Sequence, residues 1–260
     1  MEIQIKKTIK AGNSSAVVLP RAWLNKEVRV ELIKKDNKTI LFDVLDIIKE
    51  HIEFGEIIGI YLTGSYARGE EDANSDIDIL VITRNLDKEV ISEGMYNILI
   101  VSSKLVEQKL KQDLLPIGPM LKEAKALLNS AYLELIDVIV NKNNVSPYIE
   151  TTENKLKIIK EIIEKIKKKS KKNLSDKIAY TLVLRIRTLY IIKSLIEKNN
   201  YSKKDFIKII NNTSRGKTAY EGYLAVKNNQ EDEARININE AERLYDYLKI
   251  QLGDIKKILK

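Results

Sequence analysis

Four side chains and one glycine in a short window of the sequence could handle phosphate together. Ten residues, Arg68 among them, separate Gly64-Ser65 from Asp76-Ile77-Asp78. A glycine lets the backbone approach a ligand closely, and the serine hydroxyl with nearby N–H groups can hold phosphate oxygens. Asp76 and Asp78 open the apolar run Ile77 to Ile82. Strand side chains alternate faces, so both carboxylates should fall on one side. Two hard-oxygen donors beside a phosphate-holding turn suit a Mg²⁺ ion that is itself bound to a nucleotide. The plainer reading is a glycine turn and an acidic strand end at a surface.

Two strands must position these groups. Ile57-Ile58-Gly59-Ile60-Tyr61-Leu62 reads as a strand buried on both faces, ended by Gly64 and Ser65. The second strand runs from Ile77 to Ile82. With Ala67-Arg68-Gly69 after the serine and Ser75 before the first aspartate, the pattern resembles the signature of the DNA polymerase β nucleotidyltransferase superfamily in its minimal form. The resemblance implies that Asp76 and Asp78 are catalytic and hold Mg²⁺. It also implies that Gly64 and Ser65 position the β- and γ-phosphates of a nucleoside triphosphate. Arg68 is then a phosphate contact; its other role is a salt bridge to Glu70, Glu71 or Asp72.

The third strand departs from the pattern. Active members of the superfamily carry a third carboxylate there, which helps ligate the metal and accepts the attacking hydroxyl's proton. In Met95 to Val101 the matching place holds Asn97. An amide oxygen can face a metal but takes no proton near neutral pH. Glu93 falls before this strand, and Asp137 belongs to a later predicted helix. Three readings stay open: weak activity with two carboxylates, a base recruited from elsewhere, or binding of Mg²⁺-nucleotide without turnover.

Composition sets the outer limits. The chain has 260 residues, 44% hydrophobic and 32% charged, which is globular rather than disordered. Its net charge of +8 suggests an anionic partner, though solubility alone could account for it. The absence of cysteine excludes disulfides and thiolate metal sites. No signal peptide or long apolar run stands out, so no membrane association and a cytoplasmic location are expected. The single histidine, His51, lies in a helix-like stretch and excludes a histidine-cluster metal site.

Residues 1–41 have another texture. Ile3-x-Ile5 alternates, Gly12-Asn13-Ser14 turns, Ala16 to Leu19 is a short strand ending at Pro20, and Val28 to Leu32 alternates again. Gly12-Asn13-Ser14, Leu19-Pro20, Trp23-Leu24 and Glu27-Val28 resemble the AbrB/MazE swapped-hairpin family of DNA-binding domains. That resemblance implies a homodimer in which two chains exchange hairpins, since some forty residues bury little alone. Lys6, Lys7, Lys10, Asn13 and Arg21 would face DNA phosphates. A dimerising module without DNA binding is the alternative.

Residues 42–145 read as the nucleotidyltransferase core. A helix is predicted over Phe42 to Phe54, a polar or helical link over Asn85 to Ser92, and helices over Ser102 to Gln112, Pro119 to Asn129 and Ala131 to Val140. Asn141 to Pro147 reads as a linker. Residues 146–260 read as a helical bundle, with six lysines in Lys165 to Lys172. The expected chain is therefore α+β and multidomain: a small β swapped-hairpin module, an α/β nucleotidyltransferase core and a C-terminal helical bundle. Its expected chemistry is Mg²⁺-dependent transfer of a nucleoside monophosphate, with ATP the first candidate donor, to an unknown acceptor. A partner protein is one possible acceptor, in an antitoxin-like role with self-regulation through DNA. The alternative is a catalytically silent, nucleotide-sensing transcriptional regulator. With no histidine after His51, the bundle is not the helical nuclease toxin often paired with minimal nucleotidyltransferases.

Overall fold

A computed structural model of the chain describes residues 3–6, 8–31, 35–72, 75–168 and 172–259. They form two compact units, residues 1–36 and 37–260. In the first, strands β1 (Ile9–Ala11) and β2 (Ser14–Ala16) pair as a hairpin about Gly12, whose φ of 63° suits glycine. A single 3₁₀ turn, Arg21–Trp23, follows Pro20. The strands expected at Ile3 to Ile5 and from Val28 onward do not form among the described residues; Leu32 lies outside them. Within one copy Ile3, Ile5, Val18, Leu24 and Val30 are all exposed.

The second unit begins at helix α1 (Asn37–Ile48), so Thr39-Ile40-Leu41 is helical and belongs here, not to the first unit. Ile40, Val44 and Ile48 form its buried stripe. Next come β3 (Ile57–Thr63), the five-residue helix α2 (Gly64–Arg68) and β4 (Ile77–Thr83). The supposed link after Asn85 contains a strand, β5 (Lys88–Glu93), which hairpins into β6 (Tyr96–Ser102) through Gly94 at φ 60°. A sheet edge needs little apolar surface, so the polar composition of β5 masked it. Helix α3 (Ser103–Gln112) is capped by Ser102, and α4 (Gly118–Glu123) is followed by β7 (Lys125–Leu128) and α5 (Ser130–Glu134). The helix expected over Pro119 to Asn129 is thus split, because β3 offers an open edge that Lys125–Leu128 fills.

The sheet order is β5-β6-β4-β3-β7, with β4 and β6 parallel and the other pairs antiparallel. Both faces are covered. Ile60, Leu62, Ile77, Ile79, Val81 and Ile98 pack with α1 on one face. Tyr61, Leu80 and Ile82 pack on the other with residues of α3 and α4, Val106 and Leu121.

The expected linker at Asn141 to Pro147 is instead the start of the long helix α6 (Lys142–Lys168). Asn141 caps it through the N–H groups of Asn143 and Asn144. Pro147 cannot donate to the Asn143 carbonyl four residues back, and the Ser146 hydroxyl donates to it instead, at 3.2 Å. The remainder is β8 (Asn173–Leu174), α7 (Asp176–Ile196), α8 (Lys203–Ser214), α9 (Thr218–Lys227), β9 (Ile236–Asn237) and α10 (Ile238–Ile258). These helices share one apolar core built on Leu182, Ile186, Leu189, Leu244 and Leu248. Among the described residues no helix is long and apolar enough to cross a membrane.

Candidate active site at the ends of the central strands

The register brings the sequence-marked residues to one end of the sheet. Asp78 in β4 lies beside Thr63 of β3 and Asn97 of β6. Residues paired across a sheet share a face, so all three side chains stand on the face that carries α4. Asp76 sits one residue ahead of β4 and is exposed, while Asp78 is half-buried. Burial first, then repulsion from Asp76, pushes the Asp78 carboxyl above its usual range, against weaker pulls from Arg68 and Asn97.

Gly64 ends β3 at φ 67°. A Cβ there would come within 2.1 Å of Asp78 Oδ2, so the motif's glycine and aspartate are in direct contact. Ser65 is half-buried, and its carbonyl accepts from Glu70 N–H at 2.9 Å. Arg68 has both acid contacts and a place in the site. Its Nε donates to Glu70 Oε2 at 2.9 Å and its Nη1 to Glu123 Oε2 at 2.5 Å. Burial alone would lower the Arg68 pKa, but Glu70 and Glu123 outweigh it and hold the guanidinium charged.

The Asn97 amide has a defined orientation. Ser92 Oγ donates to Asn97 Oδ1 at 2.8 Å, which leaves the NH₂ group for the Asp78 carboxylate. Asn97 therefore donates toward Asp78. Asp137, the other candidate third acid, is exposed in an irregular segment rather than on a helix. Among the described residues no group of three or more His, Cys, Asp or Glu side chains is gathered closely enough to hold a metal alone. The donor set is Asp76 and Asp78, two mutually repelling carboxylates. It fits a hard divalent cation that keeps several waters and takes one or two carboxylates plus substrate phosphate oxygens.

The profile of the nucleotidyltransferase domain family matches residues 43–209. The chain belongs to this family. Its nucleotidyltransferase domain begins in α1 and ends in α8, so it crosses the boundary expected near residue 145 and takes in the first bundle helices. The chain is similar to a nucleotidyltransferase-like protein from Exiguobacterium sibiricum, at 13% identity over 83% of this chain and 75% of that one, with a TM-score of 0.37. It is similar to the spectinomycin adenyltransferase AAD(9) from Enterococcus faecialis, solved with ATP and spectinomycin, at 16% identity over 82% and 98%, with a TM-score of 0.42. A toxin-antitoxin structure with AMP-PNP is similar at 19% identity over 46% and 96%, with a TM-score of 0.26. No curated protein matches the chain.

Three residues of this nucleotidyltransferase domain escaped the sequence reading. Glu123, the last residue of α4, accepts from Gly64 N–H at 2.7 Å as well as from Arg68. Burial first, and Asp78 in addition, raise its carboxyl pKa; Arg68 and the Gly64 N–H oppose this. Tyr201 has two guanidinium groups over its ring, Arg68 at 5.3 Å and Arg187 at 5.5 Å from its centre. Arg187 Nε is buried without a hydrogen-bond partner. All three come from elements distant in sequence, so spacing held no sign of them. The first residue of α8 also grips the loop between the motif halves: Lys203 N–H donates to Glu70 Oε2 at 3.3 Å, and its Nζ lies 3.9 Å from Asp72.

The residues expected to face DNA all lie in the first unit. Lys6, Lys10, Asn13 and Arg21 are exposed there, and Lys7 lies outside the described residues.

Proposed function

We propose that this chain transfers a nucleoside monophosphate from a nucleoside triphosphate, ATP first among them, to an acceptor hydroxyl. One observation carries the reading: a half-buried Asp78 repelled by Asp76, with Gly64 and Arg68 beside it, inside the segment that matches the family. Asp76 and Asp78 would hold Mg²⁺, which when bound supplies charge neutralisation at the transferring phosphoryl group. Gly64 N–H, the Ser65 hydroxyl and the Arg68 guanidinium hold and orient the β- and γ-phosphate oxygens. Arg187, also close to Tyr201, adds positive charge at the junction with the bundle. Attack on the α-phosphorus breaks its bond to the bridging oxygen, and pyrophosphate leaves.

Incubation with α-labelled ATP and Mg²⁺ tests the assignment. Label should appear on an acceptor, a partner protein being one candidate in an antitoxin-like role, and Asp78→Asn should abolish it. No labelled acceptor and no pyrophosphate from the wild-type chain would overturn it.

A second reading is favoured by Asn97, whose amide donates to Asp78 and leaves no base on β6. Here the site binds nucleotide and senses it without turnover, as part of a DNA-binding regulator. Tight ATP binding with no pyrophosphate release is its expected signature.

For the first unit we infer a dimeric, DNA-binding role. The exposed Ile3, Ile5, Val18, Leu24 and Val30 leave apolar surface that a second copy would cover, and Lys6, Lys10 and Arg21 supply cations. Salt-dependent DNA binding that disappears in a chain beginning at Asn37 supports this; unchanged binding refutes it.

A further inference from the structure

Two of the three groups assigned above to phosphate already hold an anion. Gly64 N–H and the Arg68 guanidinium donate to the two oxygens of the Glu123 carboxylate, at 2.7 Å and 2.5 Å. One planar anion thus bridges a backbone donor and a charged side-chain donor, as two oxygens of a phosphoryl group would. The Glu123 side chain is largely shielded, at 12% exposure, and shares the neighbourhood with Asp78. Two carboxylates against one glycine repel each other, so this arrangement is worth keeping only while nothing better fills the pair.

The surroundings allow exchange. Arg68 stays anchored without Glu123, because its Nε is bound to Glu70 and its plane lies over Tyr201. The backbone of α4 stays anchored too, since Leu121 is buried in the sheet's core. Only the Glu123 side chain, with its three rotatable bonds, has to swing away.

We propose that Glu123 is an internal stand-in for the nucleotide's phosphates, closing the site in the free protein and leaving Gly64 and Arg68 when a nucleoside triphosphate binds. This rests on the reading of Gly64 and Arg68 as the phosphate-holding pair. The fraction of molecules with Glu123 turned away scales the apparent affinity, so the side chain sets the nucleotide concentration at which the site fills.

Calorimetric titration of the full chain with ATP and Mg²⁺ tests it. Glu123→Gln removes the charge, and Glu123→Asp keeps the charge but shortens the reach to both donors. Both should bind ATP roughly tenfold tighter than wild type or more, the worth of one charge-assisted contact removed from the competing state. Wild-type binding that is unchanged or weakened in both variants overturns the proposal and leaves the nucleotide reading standing. Binding in none of the three chains sinks both. Hydrogen exchange adds a readout independent of affinity. In wild type the Gly64 amide should exchange slowly with or without ATP, one acceptor replacing another. In Glu123→Ala it should be slow only with ATP, and an ATP-insensitive Gly64 there also overturns the proposal.

Discussion

Asn97 is where chemistry and sequence meet most sharply. Its place on the third strand was legible through the resemblance to the superfamily, and the parallel pairing of β4 with β6 sets it beside Asp78. The direction of its amide was not, since Ser92 sits on the polar strand β5 that composition hid. Asn97→Asp places a proton acceptor on β6 and should raise nucleotidyl transfer by roughly 100-fold, the lower end of what a positioned base contributes. Initial rates with labelled ATP check this, and an unchanged rate would place the base elsewhere. The same variant adds a third negative charge near Asp76 and Asp78, so its melting temperature should fall without Mg²⁺ and recover with it. Gly64→Ala makes a steric statement. Its φ of 67° and a Cβ position 2.1 Å from Asp78 Oδ2 cost about 1–3 kcal/mol in backbone strain alone. Urea unfolding should show that loss, and nucleotide binding should drop with it. Glu123 had no signature at all: an acid inside a helix expected over Pro119 to Asn129 looks like a solvated face, and only the structure ends that helix at Glu123, against Gly64 and Arg68.

Among the elements, strands with continuous apolar runs were readable and edge strands were not. β3 and β4 are buried on both faces and read directly as strands, whereas β5 and β7 borrow their conformation from a neighbour. The start of α6 was misread for a related reason. Asn141, Asn143, Asn144, Ser146 and Pro147 look like a linker by composition, but Asn141 and Asn144 exchange side-chain-to-backbone hydrogen bonds and the Ser146 hydroxyl donates to the Asn143 carbonyl. Asn144 is fully buried and its amide donates to the carbonyls of Leu110 and Ile139, at 2.7 and 2.8 Å. It ties the end of α3 and the segment before α6 to the bundle. Asn144→Ala removes the donor to both carbonyls and should cost about 1–3 kcal/mol in chemical denaturation. At the start of α7, Asp232 binds the Ser175 hydroxyl and the N–H of Asp176, the latter at 2.8 Å. The Ser175 hydrogen bond, above all, holds its carboxyl below the ordinary value of 3.8. A depressed carboxyl pKa adds stability above the unfolded value, and that stability is lost as pH falls through the lower folded value. Asp232→Asn should therefore flatten the unfolding curve below about pH 4, where the wild-type chain still gains stability as pH rises.

For the whole molecule, the separation of a small first unit from the rest was visible as a change of texture, though it falls after Asp36 because α1 starts at Asn37. The family match, residues 43–209, runs across the division expected near residue 145. The Lys203 contacts to Glu70 and Asp72, and the closeness of Tyr201 to both Arg68 and Arg187, bring bundle residues up to the sheet. Such long-range pairings have no period and no spacing, so no reading of one sequence reaches them. The first unit offers a different kind of opportunity. Trp23, in its 3₁₀ turn, is the only tryptophan in the chain, whereas the twelve tyrosines all fall after residue 60. Indole emission is thus an optical label built into the first unit, and tyrosine emission one built into the second. If two copies complete the first unit, dilution should shift the indole spectrum to the red at a concentration where the tyrosine signal stays constant. A single unmodified sample would then read out assembly at one end of the chain and integrity at the other.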